Sequence, residues 1–118
     1  MNQLSLFDFA EETAAEKLVE QTQTHADIVE LINRRRRQIV VHSELYYRLN
    51  TSLIPDSTYD AWSRELVELQ RKQPDIASHC VFTDLFTDDY DGSTGFQLCG
   101  TPWGYNKALE LLRYAARL

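Results

Sequence analysis

Cysteine is scarce in this chain: Cys80 and Cys99 are its two thiols among 118 residues. Two are too few for a disulfide framework, and the chain reads as cytoplasmic. No apolar run approaches the ~20 residues that span a bilayer, so no membrane partner is expected. The N-terminus lacks the basic-then-apolar order of a secretory signal, because Asp8, Glu11 and Glu12 follow its short apolar stretch at once. Basic residues are in the minority, with 12 Lys and Arg against 18 Asp and Glu and a net charge of -6. That surface repels a phosphate backbone, which excludes generic nucleic-acid coating, and no sequence-specific contact with nucleic acid is expected. What is present is ordinary. Apolar residues make up 43% and charged residues 25%, and the length suits one domain.

Residues 1–10 stand apart, because their apolar positions crowd together before any capping signal. Residues 11–23 hold good helix formers (Ala14, Ala15, Glu16, Lys17, Leu18) but a thin apolar face, as in a short or frayed helix. From 25 to 50 the pattern is strong: Ile28, Ile32, Ile39, His42, Tyr46 and Leu49 recur at three- and four-residue steps along one side of a long helix. Pro55 interrupts, Asp56 is placed to cap a second helix over 57–72 with Tyr59, Trp62, Leu66 and Leu69 buried, and Pro74 closes it. Two helices joined by a short loop form an antiparallel hairpin. Residues 75–104 are rich in Gly, Asp and Thr, with Val81-Phe82 and Phe96-Gln97-Leu98 as candidates for a small β-ribbon. Beyond them Tyr105, Ala108, Leu109, Leu112 and Ala116 make the apolar stripe of a C-terminal helix that packs on the hairpin. The fold class is mainly all-α.

Gln3, Leu4, Ser5, Leu6 and Phe7 form a compact apolar peptide near the start. Adjacent Leu6 and Phe7 can enter one apolar cleft, Leu4 a neighbouring depression, and the Gln3 amide supplies directional hydrogen bonds. The five residues resemble the pentapeptide by which bacterial replication and repair proteins bind the β sliding clamp. The resemblance implies a clamp-binding peptide over residues 1–10, flexible and tethered to a single body over 11–118. The alternative is that Leu4, Leu6, Phe7 and Phe9 fold back over the protein's own core.

The hairpin carries a second cluster. Tyr46 and Tyr47 fall in the last turn of the first helix, and Asp56, Tyr59 and Asp60 in the first turn of the second, so one end of the hairpin gathers three phenols and two carboxylates. Aromatic faces attract a flat cation, and carboxylates accept hydrogen bonds from an amide or a ribose hydroxyl, a set that suits a nicotinamide nucleotide. The plainer account makes Asp56 a helix cap and Tyr46, Tyr59 and Trp62 packing residues.

Residues 42–74 resemble the small N-terminal domain, called Ia, of bacterial NAD+-dependent DNA ligases. The shared pattern runs through His42, Leu45-Tyr46-Tyr47, Ile54, Asp56 and Tyr59-Asp60, then Glu65-Leu66, Glu68-Leu69 and Pro74. In that family the domain swings over an adenylation domain and grips the nicotinamide mononucleotide (NMN) half of NAD+. The resemblance implies NAD+ or NMN as cofactor, Tyr46, Tyr47, Asp56, Tyr59 and Asp60 as its contacts, and a ligase adenylation domain as a partner.

The chain departs from the family at Thr51-Ser52-Leu53 and after Pro74, where a divergent C-terminal extension begins. It also lacks the nucleotidyl lysine two residues before Asp-Gly: the lysines are Lys17, Lys72 and Lys107, and Asp89 precedes Asp91-Gly92 at that spacing. No catalytic residue is assigned, and ligation by this chain alone is not expected. The combination implies a replication or repair accessory protein of a bacterial virus or mobile element. The competing expectation is an interaction protein that occupies the clamp cleft and displaces host polymerases.

The remaining signals are weaker. The run Arg34-Arg35-Arg36-Arg37 spreads around a helix and is read as a solvated face. Asp84, Asp88, Asp89 and Asp91 do not complete a calcium loop, since Leu98 stands where its closing Glu belongs. His79, Cys80 and Cys99 are too few for structural zinc, and no metal is expected.

Overall fold

A computed structural model describes residues 24–117. The peptide at residues 3–7 and the helix expected over 11–23 lie outside the described residues.

Helix α1 (His25–Ser43) begins at a capping box: the Asp27 N–H donates to Thr24 Oγ1 and the Thr24 N–H to Asp27 Oδ2, both at 3.1 Å. Ile32, Arg36, Ile39, Val40 and Ser43 form its buried seam. The expected single helix over 25–50 changes character at Glu44, where a π turn (Glu44–Arg48) adds one residue to the repeat. Asn50, at φ 52°, ends it.

Helix α2 (Asp56–Lys72) starts one residue earlier than expected. Asp56 is its first helical residue and not its cap. Pro55, extended at ψ 149°, holds the cap position, and its carbonyl accepts from the N–H groups of Thr58 and Tyr59. The Asp56 carboxylate is therefore left in the first turn, where it favours the helix dipole while staying exposed. Ser63, Leu66 and Val67 are the buried positions, and Tyr59, Trp62 and Leu69 pack half-buried around them. The short helix α3 (Pro74–Ala77) follows after a bend at Gln73.

The expected β-ribbon is absent; the described residues contain no strand. Two local facts rule it out. The backbone of Val81 is already spent on α1, its N–H donating to Asn33 Oδ1 and its carbonyl accepting from Arg36, each at 2.9 Å. Phe82 has φ 59°, the left-handed region that interrupts an extended run. Phe96–Leu98 form a single 3-10 turn instead. The intervening loop buries Cys80, Phe86, Tyr90 and Leu98 against α1 and α2.

Helix α4 (Pro102–Ala116) begins at Thr101, whose hydroxyl accepts from the Gly104 N–H at 3.0 Å. It crosses α1 closely at Gly104, where an added Cβ would lie 2.8 Å from a Val40 methyl. Ala108 is fully buried, Tyr105, Leu109 and Leu112 are half-buried, and Ala116 is exposed, so the expected stripe frays at its end. Buried Glu44 pins the extension to the hairpin by accepting from the Gly100 N–H at 2.6 Å and pairing with Arg48 at 3.4 Å.

The arginine run is not a solvated face throughout. Arg34 pairs with Glu30 in solvent and Arg37 is exposed, whereas Arg35 reaches Glu65 at 3.0 Å and Arg36 is only 1% exposed. Four consecutive helical residues point in four directions, and one of them necessarily faces the core.

Candidate functional site

The loop between α1 and α2 brings the five sequence-predicted contacts together. Tyr46, Tyr47, Asp56, Tyr59 and Asp60 all line one open pocket of about 210 Å³. The π turn presents the first two. Tyr46 is 56% exposed and meets Tyr47 edge to face, with centroids 4.9 Å apart at 84°. Helix α2 contributes Tyr59 from its buried side and the two carboxylates from its exposed first turn. His42, Ser52 and Ile54 complete this half of the lining.

Tyr59 plays a different part from the other rings. Its hydroxyl shares a 2.9 Å hydrogen bond with buried Ser43 and points into the fold, so the pocket meets it as a surface held in place. Burial pushes the phenol up to about 12, against the opposing pull of the Ser43 hydrogen bond. Burial also lowers His42 below its ordinary 6.5, so its imidazole is neutral at pH 7 beside Trp62, 5.6 Å away.

These shifts predict opposite pH limits. The stabilising contribution of Tyr59 is complete below the unfolded phenol value of 10.0 and is lost as pH rises towards about 12. That of His42 is complete above 6.5 and is lost as pH falls through its lower folded value. Denaturant midpoints measured across pH should fall at both ends, and His42→Gln should flatten the acidic limb.

The third wall was not legible in the sequence. Gly92, Ser93 and Thr94, from the divergent extension, face the hairpin across the pocket. Ser93 is set by Asp91, whose Oδ1 accepts from its N–H at 2.9 Å and its hydroxyl at 2.6 Å. Thr94 shares a 3.2 Å hydrogen bond with the Tyr47 hydroxyl, and the Phe96 ring stands edge-on to Tyr47 at 5.8 Å. Gly95 fits where nothing larger does: a Cβ there would lie 2.3 Å from the Tyr59 hydroxyl and 2.4 Å from Ser43 Oγ. The local signal was an Asp-Gly-Ser turn, which predicts a bend without predicting what it bends towards.

The pocket's electrostatics are one-sided. Its lining has two carboxylates and neither lysine nor arginine, and Asp56 and Asp60 make no ion pair among the described residues. Such a site favours a flat ligand carrying positive charge and hydrogen-bond donors. Among the described residues no group of three or more His, Cys, Asp or Glu is arranged to hold a metal ion. No helix among them is long and apolar enough to cross a membrane.

Comparison with a family of known proteins covers the hairpin part of this site and not the wall formed by Gly92, Ser93 and Thr94. Residues 25–79 match the family model for the DNA ligase-like, N-terminal NAD+-binding domain. The chain is 36% identical over 52 residues to a DNA ligase of Thermotoga maritima and 34% identical over 53 residues to one of Methylococcus capsulatus. It is 40% identical over 63 residues to DNA ligase 1 of Opitutus terrae. These stretches cover 44%, 45% and 53% of this chain but only 8%, 8% and 9% of the respective relatives. No solved structure matches.

Proposed function

We propose that the DNA ligase-like NAD+-binding domain carried by residues 25–79 holds the nicotinamide mononucleotide half of NAD+, or NMN itself, in the pocket at the α1–α2 loop. The observation that carries this reading is the convergence of Tyr46, Tyr47, Tyr59, Asp56 and Asp60 on one acidic pocket. Tyr46 and Tyr47 supply ring faces for the cationic pyridinium, while Asp56 and Asp60 accept from the carboxamide or ribose hydroxyls. At about 210 Å³ the pocket is smaller than the ~300–1,000 Å³ that encloses a ligand of drug size. It therefore works as one wall of a site, and a ligase adenylation domain is the partner that would supply the other.

The peptide Gln3-Leu4-Ser5-Leu6-Phe7 supports a second element of the proposal, a tether to the β sliding clamp. Together the two make a replication or repair accessory that handles a nicotinamide nucleotide at the clamp. If the pocket binds nothing, the peptide alone supports an interaction protein that occupies the clamp's cleft.

Calorimetric titration of the full chain separates these. NMN should bind, and nicotinic acid mononucleotide, which places a carboxylate where NMN has an amide, should bind more weakly against the two aspartates. Asp60→Asn should weaken NMN several-fold and narrow the gap between the two ligands. Equal affinities for both nucleotides, unchanged by Asp60→Asn, would remove the nicotinamide reading.

A further inference from the structure

A second pocket, of about 380 Å³, lies between α1, the C-terminal half of α2, α3 and the loop 83–90. Unlike the first, it is lined by two arginines, with Asp88 as its one carboxylate. Arg36 and Arg71 line it with the Gln70 amide and the hydroxyls of Ser78, Thr83 and Thr87.

Arg36 is the unusual member. It is 1% exposed, yet its partners are neutral: its Nε donates to Gln70 Oε1 and one terminal nitrogen to the Val81 carbonyl, each at 2.9 Å. Its guanidinium lies 5.3 Å from the Phe86 ring centre. Neither Arg36 nor Arg71 has a carboxylate within 4 Å among the described residues. A guanidinium stays charged in a protein, and a buried charge is ordinarily paired with one of opposite sign. Here no carboxylate pairs directly with the buried charge, and a cavity stands beside it.

We propose that this pocket binds a phosphate group, taken from solution as the free ion or carried by a small molecule. Arginine forks match the oxygens of phosphate, and the hydroxyls of Thr83 and Thr87 and the Gln70 amide nitrogen are further donors, the Ser78 hydroxyl being committed to the Asp75 carbonyl at 2.7 Å. The volume suits a phosphorylated small molecule, and the apolar wall of Val67, Ala77 and Phe86 has room for its organic part. One group opposes it: the Asp88 carboxylate also lines the pocket. Thr83, Thr87 and Asp88 lie beyond the residues matched by the ligase-domain family, so the site joins the matched hairpin to the divergent extension. It does not depend on the nicotinamide pocket.

The test is an amide-shift titration of the full chain with sodium phosphate and with ribose 5-phosphate, against sodium chloride at matched ionic strength. Saturable shifts at Ser78, Thr83 and Thr87 are expected with phosphate and not with chloride. Exposed Arg71→Gln should weaken binding about tenfold, and Asp88→Asn should strengthen it. Tighter binding of ribose 5-phosphate identifies a phosphorylated small molecule, and equal or weaker binding identifies the free ion. Shifts that match chloride, or that are the same in Arg71→Gln, would overturn the proposal and leave Arg36 a purely structural tie.

Discussion

Gly95→Ala is expected to lower stability by roughly 1–3 kcal/mol, the usual effect of overpacking a well-filled site. The new methyl would meet the Tyr59 hydroxyl at 2.3 Å and Ser43 Oγ at 2.4 Å, and both partners are fixed by their mutual hydrogen bond. At roughly 4–8 °C per kcal/mol for a domain near this size, the loss is plain in a thermal melt. The consequence for the pocket is larger. The segment that would be pushed away contributes Ser93 and Thr94, and Thr94 steadies the Tyr47 ring. NMN affinity should therefore fall with stability. Gly104→Ala is the control, because its clash is with Val40 and Thr101 and it does not line the pocket. It should lower the melting temperature and leave NMN affinity near that of the parent.

The Leu6→Ala, Phe7→Ala double variant should lose at least about a hundredfold in affinity for purified β clamp. Each buried apolar side chain contributes ~1.5–3 kcal/mol, and ~1.4 kcal/mol is a factor of ten. Surface plasmon resonance with immobilised clamp reads this directly. Asp60→Asn should bind the clamp like the parent, since it alters the other element of the proposal. Unchanged clamp binding by the double variant would show that the peptide is not a tether.

The hairpin was legible in the sequence because burial on a helix repeats, and Ile32, Ile39, Leu66 and the Pro55 break write that repeat plainly. The five pocket residues were legible for the same reason, since a short loop between two helices dictates which ends meet. Other features were not. The apolar repeat in the sequence runs on through Tyr46, whereas the π turn buries Glu44 and Leu45 and leaves Tyr46 56% exposed, a shift that no local pattern announces. The β-ribbon at Val81 failed because side chains of α1, distant in sequence, take both backbone groups of that residue. Arg36 looked like one of four solvated cations, and only the packing of Phe86 and the 83–90 loop shows that it faces inward. Gly95 and Thr94 meet Tyr59 and Tyr47 through contacts spanning more than thirty positions, beyond the reach of periodicity.

The most direct test follows the amide shifts of Tyr46, Tyr47, Asp60, Ser93 and Thr94 as NMN is added to the full chain. Saturable shifts concentrated on those residues, on both the hairpin and the extension, are predicted. An NMN titration that leaves them unmoved at concentrations where chemical shifts elsewhere saturate, or that moves nothing at all, would contradict the account.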